Sequence, residues 1–261
     1  MLDDQTIADL AAELLEAHRQ RAVVPRITQR FPDATVEDSY AIQGLWRDRA
    51  VASGRRVVGR KIGLTSKVMQ AATGITEPDY GVMLDDTVWE NGSVIPFDHF
   101  SNVRIEVELA FLLEAPLEGP HCTLFDVLAA TRYVVPALEI LNSHLELEGR
   151  TIVDTIADNA AYGGIVVGGN PTRPEDVDLR WISALLYRNE TIEESGVAAA
   201  VLNHPASGVA WLANKLHQHG GRLEAGELIL AGSFTRPMWV SRGDTVLCDY
   251  GPMGTITCRF E

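Results

Sequence analysis

The chain has 261 residues, 46% of them hydrophobic, which is enough to bury one substantial core. Its formal net charge of -14 argues against binding to nucleic acid or to anionic membrane surfaces. Its three cysteines show no zinc-type spacing and are too few for a disulfide framework, so we expect reduced side chains in or near the core. Without a signal-like or membrane-spanning apolar run, the chain is predicted to be cytoplasmic.

The first 55 residues are predicted to form a small helical appendage. Apolar residues recur at helical spacing from position 3 to about 20, and Thr35 with Asp38 resembles a capping box that opens a second helix. From residue 56 to residue 261 the pattern changes to short strands and turns. This second part is predicted to be one catalytic domain of mixed β-structure.

One turn signal in the strand-rich part is strong. Asn91-Gly92 lies between two short apolar stretches around Val88 and Val94. Because this dipeptide favours the tight turns of β-hairpins, it predicts that the two strands pair with each other.

The run that starts at Arg104 shows the alternation of a strand. Its apolar members are Ile105, Val107, Leu109 and Phe111, and its charged members are Arg104, Glu106 and Glu108. Residues two apart in a strand project from the same face, so Glu106 and Glu108 are predicted to lie side by side. An amphipathic strand with one solvated face gives the same pattern, so this run alone does not establish a site.

Glu139 raises a second interpretation of the two glutamates, as ligands of a metal ion. It is the only charged residue from Val134 to Leu141, and a carboxylate in an apolar segment needs a cation or a proton. An arginine partner is one solution. The other is a divalent metal shared with Glu106 and Glu108, for which a carboxylate-only ligand set favours Mg²⁺ or Mn²⁺ over Zn²⁺ and leaves positions open to a substrate.

Two further charged residues are candidates for chemistry. Lys61 lies between Gly59 and Gly63, and glycine inside a strand often marks close approach by a ligand or another backbone. A solvated lysine beside Arg60 is the alternative. Asp79 lies in a segment predicted to be a loop from its Pro and Gly content, where it either forms the turn or supplies another functional carboxylate.

Five segments, in this order, resemble the hydratase/decarboxylase branch of the fumarylacetoacetate hydrolase superfamily: Gly59 to Ser66, Glu77 to Gly81, Arg104 to Glu108, Pro136 to Glu139 and Asp154 to Ala160. The resemblance extends over nearly the whole chain. It implies an α+β fold, a mixed β-sandwich or rolled barrel with outer helices, that assembles into homo-oligomers. It also implies a divalent metal on Glu106, Glu108 and Glu139, with Lys61 and Asp79 at the acid/base positions.

The implied reaction is the hydration of a small 2-oxo-alkenoic diacid in the meta-cleavage catabolism of aromatic compounds. Lys61 is expected to transfer protons while Asp79 orients it or the attacking water. Substrate contacts are predicted at Thr65, Ser66, Asn159, Ser233 and Arg236. Arg236 is the predicted partner of the second carboxylate, with a surface salt bridge as the alternative.

Other functions fit parts of the pattern. A 4-oxalocrotonate-type decarboxylase or a 2-hydroxypentadienoate-type hydratase would use the same centre. Hydrolysis of a carbon–carbon bond would need a His/Glu pair, for which the N-terminal region offers only His18. A non-catalytic partner subunit would have no physical need for a cluster of charged residues, which argues against it.

Overall fold

The computed structural model describes residues 1–66, 70 and 77–261, which form an α+β fold with two mixed sheets. The described helices are α1 (Asp4–Gln20), α2 (Ile27–Arg30), α3 (Val36–Ala52), α4 (Leu124–Ala130), α5 (Ile152–Ala157) and α6 (Pro205–His217). The described strands are β1 (Val57–Gly63), β2 (Asp79–Leu84), β3 (Val88–Glu90), β4 (Val94–Ile95), β5 (Arg104–Leu113), β6 (Thr131–Leu141), β7 (Tyr162–Val167), β8 (Ser183–Arg188), β9 (Thr191–Val197), β10 (Leu228–Leu230), β11 (Met238–Trp239), β12 (Thr245–Asp249) and β13 (Thr255–Phe260).

The larger sheet has eight strands, in the order β2-β1-β10-β5-β6-β7-β3, and β11 also pairs with β5. The second sheet has five strands, in the order β4-β13-β12-β8-β9. Among the described strands, three pairs are parallel, namely β1 with β10, β3 with β7 and β4 with β13. Neither path closes on itself among the described strands, so the fold is the predicted mixed sandwich and not a closed barrel.

Strand β5 organises the core. Its alternate residues Ile105, Val107, Leu109 and Phe111 are buried in the main apolar cluster together with Cys248 and Phe260 of the second sheet. Successive side chains of a strand point to opposite faces, so the charged residues of β5 project away from the second sheet. The core therefore fixes which face of the larger sheet carries the glutamates.

The N-terminal helices pack closely on the rest of the chain. Trp46 and Ala50 of α3 contact Val82 and Leu84 of β2. Gln43 donates hydrogen bonds to backbone carbonyls of β2 and α5, each at 2.9 Å. These contacts place a helical layer over the edge of the larger sheet that β2 forms. The division into an appendage of residues 1–55 and a domain of residues 56–261 stays a prediction.

Several buried acids in this layer are fully hydrogen-bonded. Asp154 accepts from the Thr28 amide at 2.9 Å and from the Thr28 hydroxyl at 2.7 Å. Asp158 accepts from the His144 amide at 2.6 Å and lies 2.9 Å from Nδ1 of the same residue. Asp38 accepts the backbone amides of two residues. These carboxylates tie helices and loops together, since each takes donors from a separate segment.

The predicted hairpin at Asn91-Gly92 is wrong. The chain does turn there, with a φ of 87° at Gly92. Strand β3, however, pairs with β7 of the larger sheet, and β4 pairs with β13 of the second sheet. Strands of three and two residues could form few hydrogen bonds with each other, so each pairs with a longer strand instead. The turn carries the chain from one sheet to the other.

Cys122, Cys248 and Cys258 are free thiols, as predicted, and the last two are buried. None of the described helices has the length and apolar character needed to cross a membrane.

Candidate active site

Glu106, Glu108 and Glu139 meet on the face of the larger sheet that points away from the second sheet. Glu106 and Glu139 are directly opposite each other in the register of β5 and β6, and Glu108 follows two residues along β5. Ligand oxygens of the three side chains lie within 4.8 Å of one another. The alternation of β5 and its pairing with β6 therefore bring the three predicted metal ligands together.

These carboxylates have few donors. Glu108 and Glu139 are fully buried, and Glu106 is half-buried. The amide of Gly232 donates to Oε2 of Glu108 at 2.8 Å. Oε1 of Glu108 and both carboxylate oxygens of Glu139 have no hydrogen-bond partner among the described residues. Buried carboxylates without hydrogen-bond donors are costly unless a cation or a proton neutralises them.

The electrostatics of the cluster point the same way. Burial, with the charge of Glu139 second, raises the pKa of Glu106 to about 7. Burial and then the charges of Glu139 and Glu106 raise the pKa of Glu108 well above its usual value. For Glu139, burial raises the pKa against the opposing effect of Lys61. A hard divalent ion fits this donor set, because it supplies the missing charge and prefers carboxylate oxygens.

Lys61 reaches the cluster from β1. It is only 3% exposed, so the alternative of a solvated lysine is wrong. Its Nζ donates to the carbonyl of Ala160 at 2.9 Å and lies 3.3 Å from Oε1 of Glu139, which is ion-pair distance without hydrogen-bond geometry. Burial lowers the pKa of Lys61, but Glu139 and the other nearby acids outweigh burial and shift the pKa upward. Glu139 thus pairs with a lysine and not with an arginine.

A strained backbone segment places the carbonyl that holds Lys61. Asn159, Ala160 and Ala161 have φ values of 49°, 54° and 57°, a region that costs a non-glycine residue roughly 1 kcal/mol or more. The Asn159 side chain secures the segment, since its Nδ2 donates to Val82 O at 2.9 Å and its Oδ1 accepts from Val82 N at 2.8 Å. Asn159 therefore holds this turn against β2, and its predicted contact with substrate stays a prediction.

Asp79 is the first residue of β2 and lies opposite Gly63 of β1, so it is a strand residue and the predicted loop is wrong at this position. It is 1% exposed, and neither carboxylate oxygen has a hydrogen-bond partner in the described part of the chain. Gly63 makes room for both candidate acid/base groups, since a Cβ there would lie 2.2 Å from Asp79 Oδ1 and 3.1 Å from Lys61 Nζ. Burial raises the pKa of Asp79, and Lys61 opposes that rise.

Three further predicted contacts differ in their surroundings. Thr65 is buried against Gly232, where a Cβ would lie 2.1 Å from Thr65 Oγ1. Ser66, the next residue, is half-buried. Ser233 is half-buried, and its hydroxyl donates to a carbonyl of its own loop at 3.0 Å. Because Gly232 also holds Glu108, Thr65 and Ser233 flank a residue that contacts the cluster, and their contacts with substrate stay predictions.

Arg236 lies at the surface. Its side chain is 77% exposed, and its Nη2 is 2.9 Å from Oε1 of Glu194. The structure therefore shows the surface salt bridge that was the alternative for this residue. A role in binding the second carboxylate stays a prediction of the sequence.

His18, the candidate for a hydrolase-type His/Glu pair, is half-buried in the helical layer. Its ring centroid lies 4.9 Å from that of His144. Burial, followed by the charge of His144, lowers its pKa to about 4, so its imidazole is neutral at neutral pH. No hydrogen bond or ion pair between the described residues joins His18 to the glutamate cluster.

Arg104 begins the same alternating run, but the sequence pattern predicts no role for it in the site. Arg104 projects from the glutamate face of β5 and is 9% exposed. Its Cζ lies 5.3 Å from the ring centroid of Trp239, and its Nε and Nη2 lack hydrogen-bond partners among the described residues. Burial, with the charge of Arg150 second, lowers its pKa to about 10. The available signal was its position two residues before Glu106.

Comparisons with known proteins give a consistent result. No protein-family model matches the chain. The chain is 54% identical over 266 residues to the 2-oxo-hept-4-ene-1,7-dioate hydratase of Escherichia coli, with 100% of both chains covered. It is 38% identical over 253 residues to the 2-keto-4-pentenoate hydratase of Paraburkholderia xenovorans (strain LB400), with 97% of this chain and 94% of that protein covered.

A solved structure agrees over the same length. The 4-oxalocrotonate decarboxylase of Pseudomonas putida G7, complexed with magnesium and adipate, superposes with a TM-score of 0.98 at 34% identity, covering 100% of this chain and 99% of that one. This structural match and the 54% identity to the Escherichia coli hydratase each cover the whole chain. The chain therefore belongs to the hydratase/decarboxylase branch of the fumarylacetoacetate hydrolase superfamily.

Proposed function

We propose that this chain is a hydro-lyase that converts 2-oxohept-4-ene-1,7-dioate and water into 4-hydroxy-2-oxoheptane-1,7-dioate. The observation that carries the proposal is the 54% identity, over the full length, to a hydratase named for this substrate. The site supports it, because a cluster of buried glutamates lies beside a buried lysine on one face of the sheet.

The reaction requires proton transfers around the addition of water. A proton leaves C3 and another is added at C5, which moves the double bond into conjugation with the oxo group. The oxygen of water then bonds to C4 as the C3=C4 π bond breaks and water gives up one proton, and C3 gains a proton. The chain must therefore supply groups that take and return protons along this part of the substrate.

Lys61 and Asp79 are the proposed pair. The Nζ of Lys61 donates to the carbonyl of Ala160 at 2.9 Å, which holds it in place. In this proposal it takes a proton as the amine and returns a proton as the ammonium. Asp79 shares the space left by Gly63 with Lys61 and has free carboxylate oxygens. In this proposal Asp79 orients Lys61 or the attacking water.

The three glutamates are proposed to hold Mg²⁺ or Mn²⁺. The unsatisfied oxygens of Glu108 and Glu139 support this assignment, as does the absence of nitrogen or sulfur ligands from the cluster. A bound dication would act as a Lewis acid toward the oxo and carboxylate oxygens of the substrate.

A panel of 2-oxo-enoic acids tests the proposal. Purified protein is given substrates of different chain length, with one or two carboxylates, in the presence of Mg²⁺, Mn²⁺ or a chelator. We expect the seven-carbon diacid to be hydrated with the highest kcat/KM, activity to be lost with chelator, and added Mg²⁺ to restore it. Turnover that survives exhaustive chelation, or no hydration of any member, would reject the proposal.

A decarboxylase is the second candidate, because the chain superposes on 4-oxalocrotonate decarboxylase with a TM-score of 0.98. Decarboxylation uses the same centre but releases carbon dioxide and adds no water. Measuring carbon dioxide and the mass of the product separates the two reactions directly. Hydration of the five-carbon monoacid, the substrate class in the name of the 38% identical relative, is separated by the panel itself.

Further parts of the proposal rest on the family resemblance. They are a homo-oligomeric assembly, a place in the homoprotocatechuate meta-cleavage route and a cytoplasmic location. Size-exclusion chromatography with light scattering tests the first of these on the purified protein.

A further inference from the structure

A buried arginine, Arg104, lies two residues before Glu106 on the glutamate face of β5. Lys61 is level with Leu230 of β10, and Leu230 is level with Ala110 of β5. From Ala110 toward the start of β5, the two glutamates of that strand come first and Arg104 comes last, all on one face. The glutamates of β5 therefore lie between the level of Lys61 and Arg104.

Arg104 presents one free edge of its guanidinium. Its Nε and Nη2 are buried and have no hydrogen-bond partner among the described residues. The indole of Trp239, with its ring centroid 5.3 Å from Cζ, fixes the guanidinium by a cation–π contact that uses none of its N–H groups. A buried guanidinium with unpaired donors is costly, so its free edge is explained by a ligand.

The free edge of the Arg104 guanidinium is suited to a carboxylate ligand. Nε and Nη2 form a planar fork that matches the two oxygens of a carboxylate. Arg150 adds a second positive charge whose field acts on both Arg104 and Asp79, and its Nη1 donates to Ser143 Oγ at 3.1 Å. The three glutamates thus supply the negative charge of the site, and Arg104 supplies a cation with free donors beside them.

We propose that Arg104 binds the carboxylate adjacent to the oxo group of a 2-oxo acid, through Nε and Nη2. This inference rests on the proposed function. If Lys61 and Asp79 exchange protons at C3 and C5, those carbons face β1 and β2, and the carboxylate on the other side of the oxo carbon faces Arg104. Arg104 would then set the direction in which the substrate lies.

Binding of unreactive ligands tests the proposal without turnover. The ligands are 2-oxopentanoate and 2-oxoheptanedioate, which share the 2-oxo acid end, although only the second has a distal carboxylate. Calorimetry with the Mg²⁺-loaded wild type, Arg104→Met and Arg104→Lys gives the affinities. We expect Arg104→Met to weaken both ligands by a similar factor, roughly 10- to 100-fold. Arg104→Lys should weaken both ligands less, because it keeps the charge but loses the fork.

A second measurement separates ligand binding from damage to the site. Affinity for Mn²⁺ alone is expected to be unchanged or higher in Arg104→Met, because the group removed is a cation beside the ligands. Arg222→Met is the matched control, since Arg222 is a surface residue paired with Glu224 at 2.8 Å, and it should bind both acids as the wild type does.

Three results would overturn the proposal. Weakening confined to 2-oxoheptanedioate would assign Arg104 to the distal carboxylate. Unchanged affinity for both acids would remove Arg104 from binding, and loss of Mn²⁺ binding would make its role structural. The proposed function can fail separately, because a wild type that binds both acids through Arg104 but hydrates no substrate would reject only the hydratase assignment.

Discussion

Two groups of buried carboxylates in this fold have opposite surroundings. In the helical layer, burial raises the pKa of Asp154, but hydrogen bonds from Thr28 and Thr151 outweigh burial and lower it. In the glutamate cluster, burial raises the pKa of Glu108, and the charge of Glu139 raises it further. Both residues are 0% exposed, so burial alone does not distinguish them.

The difference is the supply of donors. Asp154 receives donors from two segments and serves to join them. Glu108 receives one amide, and Glu139 has no hydrogen-bond donor in the described residues. A buried acid with a full set of donors holds the fold, whereas a buried acid without them is expected to bind a cation or a proton.

The largest effect is expected from Glu108→Gln. Removing one ligand should lower kcat/KM by roughly 100- to 1,000-fold and weaken Mn²⁺ binding. The same change should stabilise the metal-free protein by about 1–2 kcal/mol, since it removes a repelling buried charge. Steady-state kinetics, calorimetry with Mn²⁺ and urea unfolding in chelator measure the three quantities.

Asp154→Asn is the matched change in the satisfied group. An amide cannot accept the same set of hydrogen bonds, so the free energy of unfolding should fall by about 1–3 kcal/mol. Affinity for Mn²⁺ should stay as in the wild type. If Glu108→Gln destabilised the metal-free protein as much as Asp154→Asn does, the contrast between the two groups would be wrong.

Lys61→Met is expected to lower catalytic activity without weakening metal binding. Loss of the proposed acid/base group is expected to lower kcat by roughly 100-fold, while Mn²⁺ affinity stays equal or rises. Arg60→Met, on the opposite face of β1, is the control and should keep most of the activity. Turnover of Lys61→Met close to that of the wild type would remove Lys61 from the mechanism.

The pH dependence of stability should also separate the two groups. The pKa of Glu106 is raised from 4.5 to about 7 in the folded protein. Its contribution to stability is therefore present below pH 4.5 and is lost as the pH rises through 7. The loss in the free energy of unfolding is up to about 3 kcal/mol. Asp154, with a lowered pKa, contributes above its unfolded value of 3.8 and loses that contribution only in acid below it.

Urea unfolding between about pH 5 and about pH 8, with chelator or with Mg²⁺, checks this expectation. The metal-free protein should lose stability across that interval, and Mg²⁺ should restore it at the upper end. Stability of the metal-free protein that rises toward pH 8 would contradict the assignment of raised pKa values to the glutamates.

The smallest effect is expected from Arg236→Ala. Its exposed ion pair with Glu194 should contribute at most about 0.5 kcal/mol to unfolding. We expect kcat/KM for the diacid to change by no more than about twofold, in line with a surface residue. A loss selective for the diacid over the monoacid would instead support the role that the sequence predicted.

The sequence predicted what depends on local pattern. Strand β5 and its glutamate face followed from a period of two residues, and the helix that begins after Thr35 followed from its capping box. Pro78 and Gly81 are turn residues and predict a loop at Asp79, but pairing with β1 extends the strand to Asp79. Such pairing joins distant segments, and local composition does not report it.

The same limit applies to the site. The charge pattern of the sequence identified Glu139, but only the register of β6 shows that it faces Glu106. The free edge of Arg104 depends on Trp239, a residue far away in the chain, so spacing could not reveal it. The sequence predicts a substrate contact for Arg236 and none for Arg104, whereas in the structure Arg236 is exposed and Arg104 is buried.

Strand β5 carries the apolar core on one face and the glutamates on the other. A slip of one residue against β6 would exchange these faces, putting leucine and valine where an ion should bind and carboxylates where the core should close. Uptake of Mn²⁺ during refolding would therefore report correct strand alignment, and metal supply in the cell would favour the properly aligned chain.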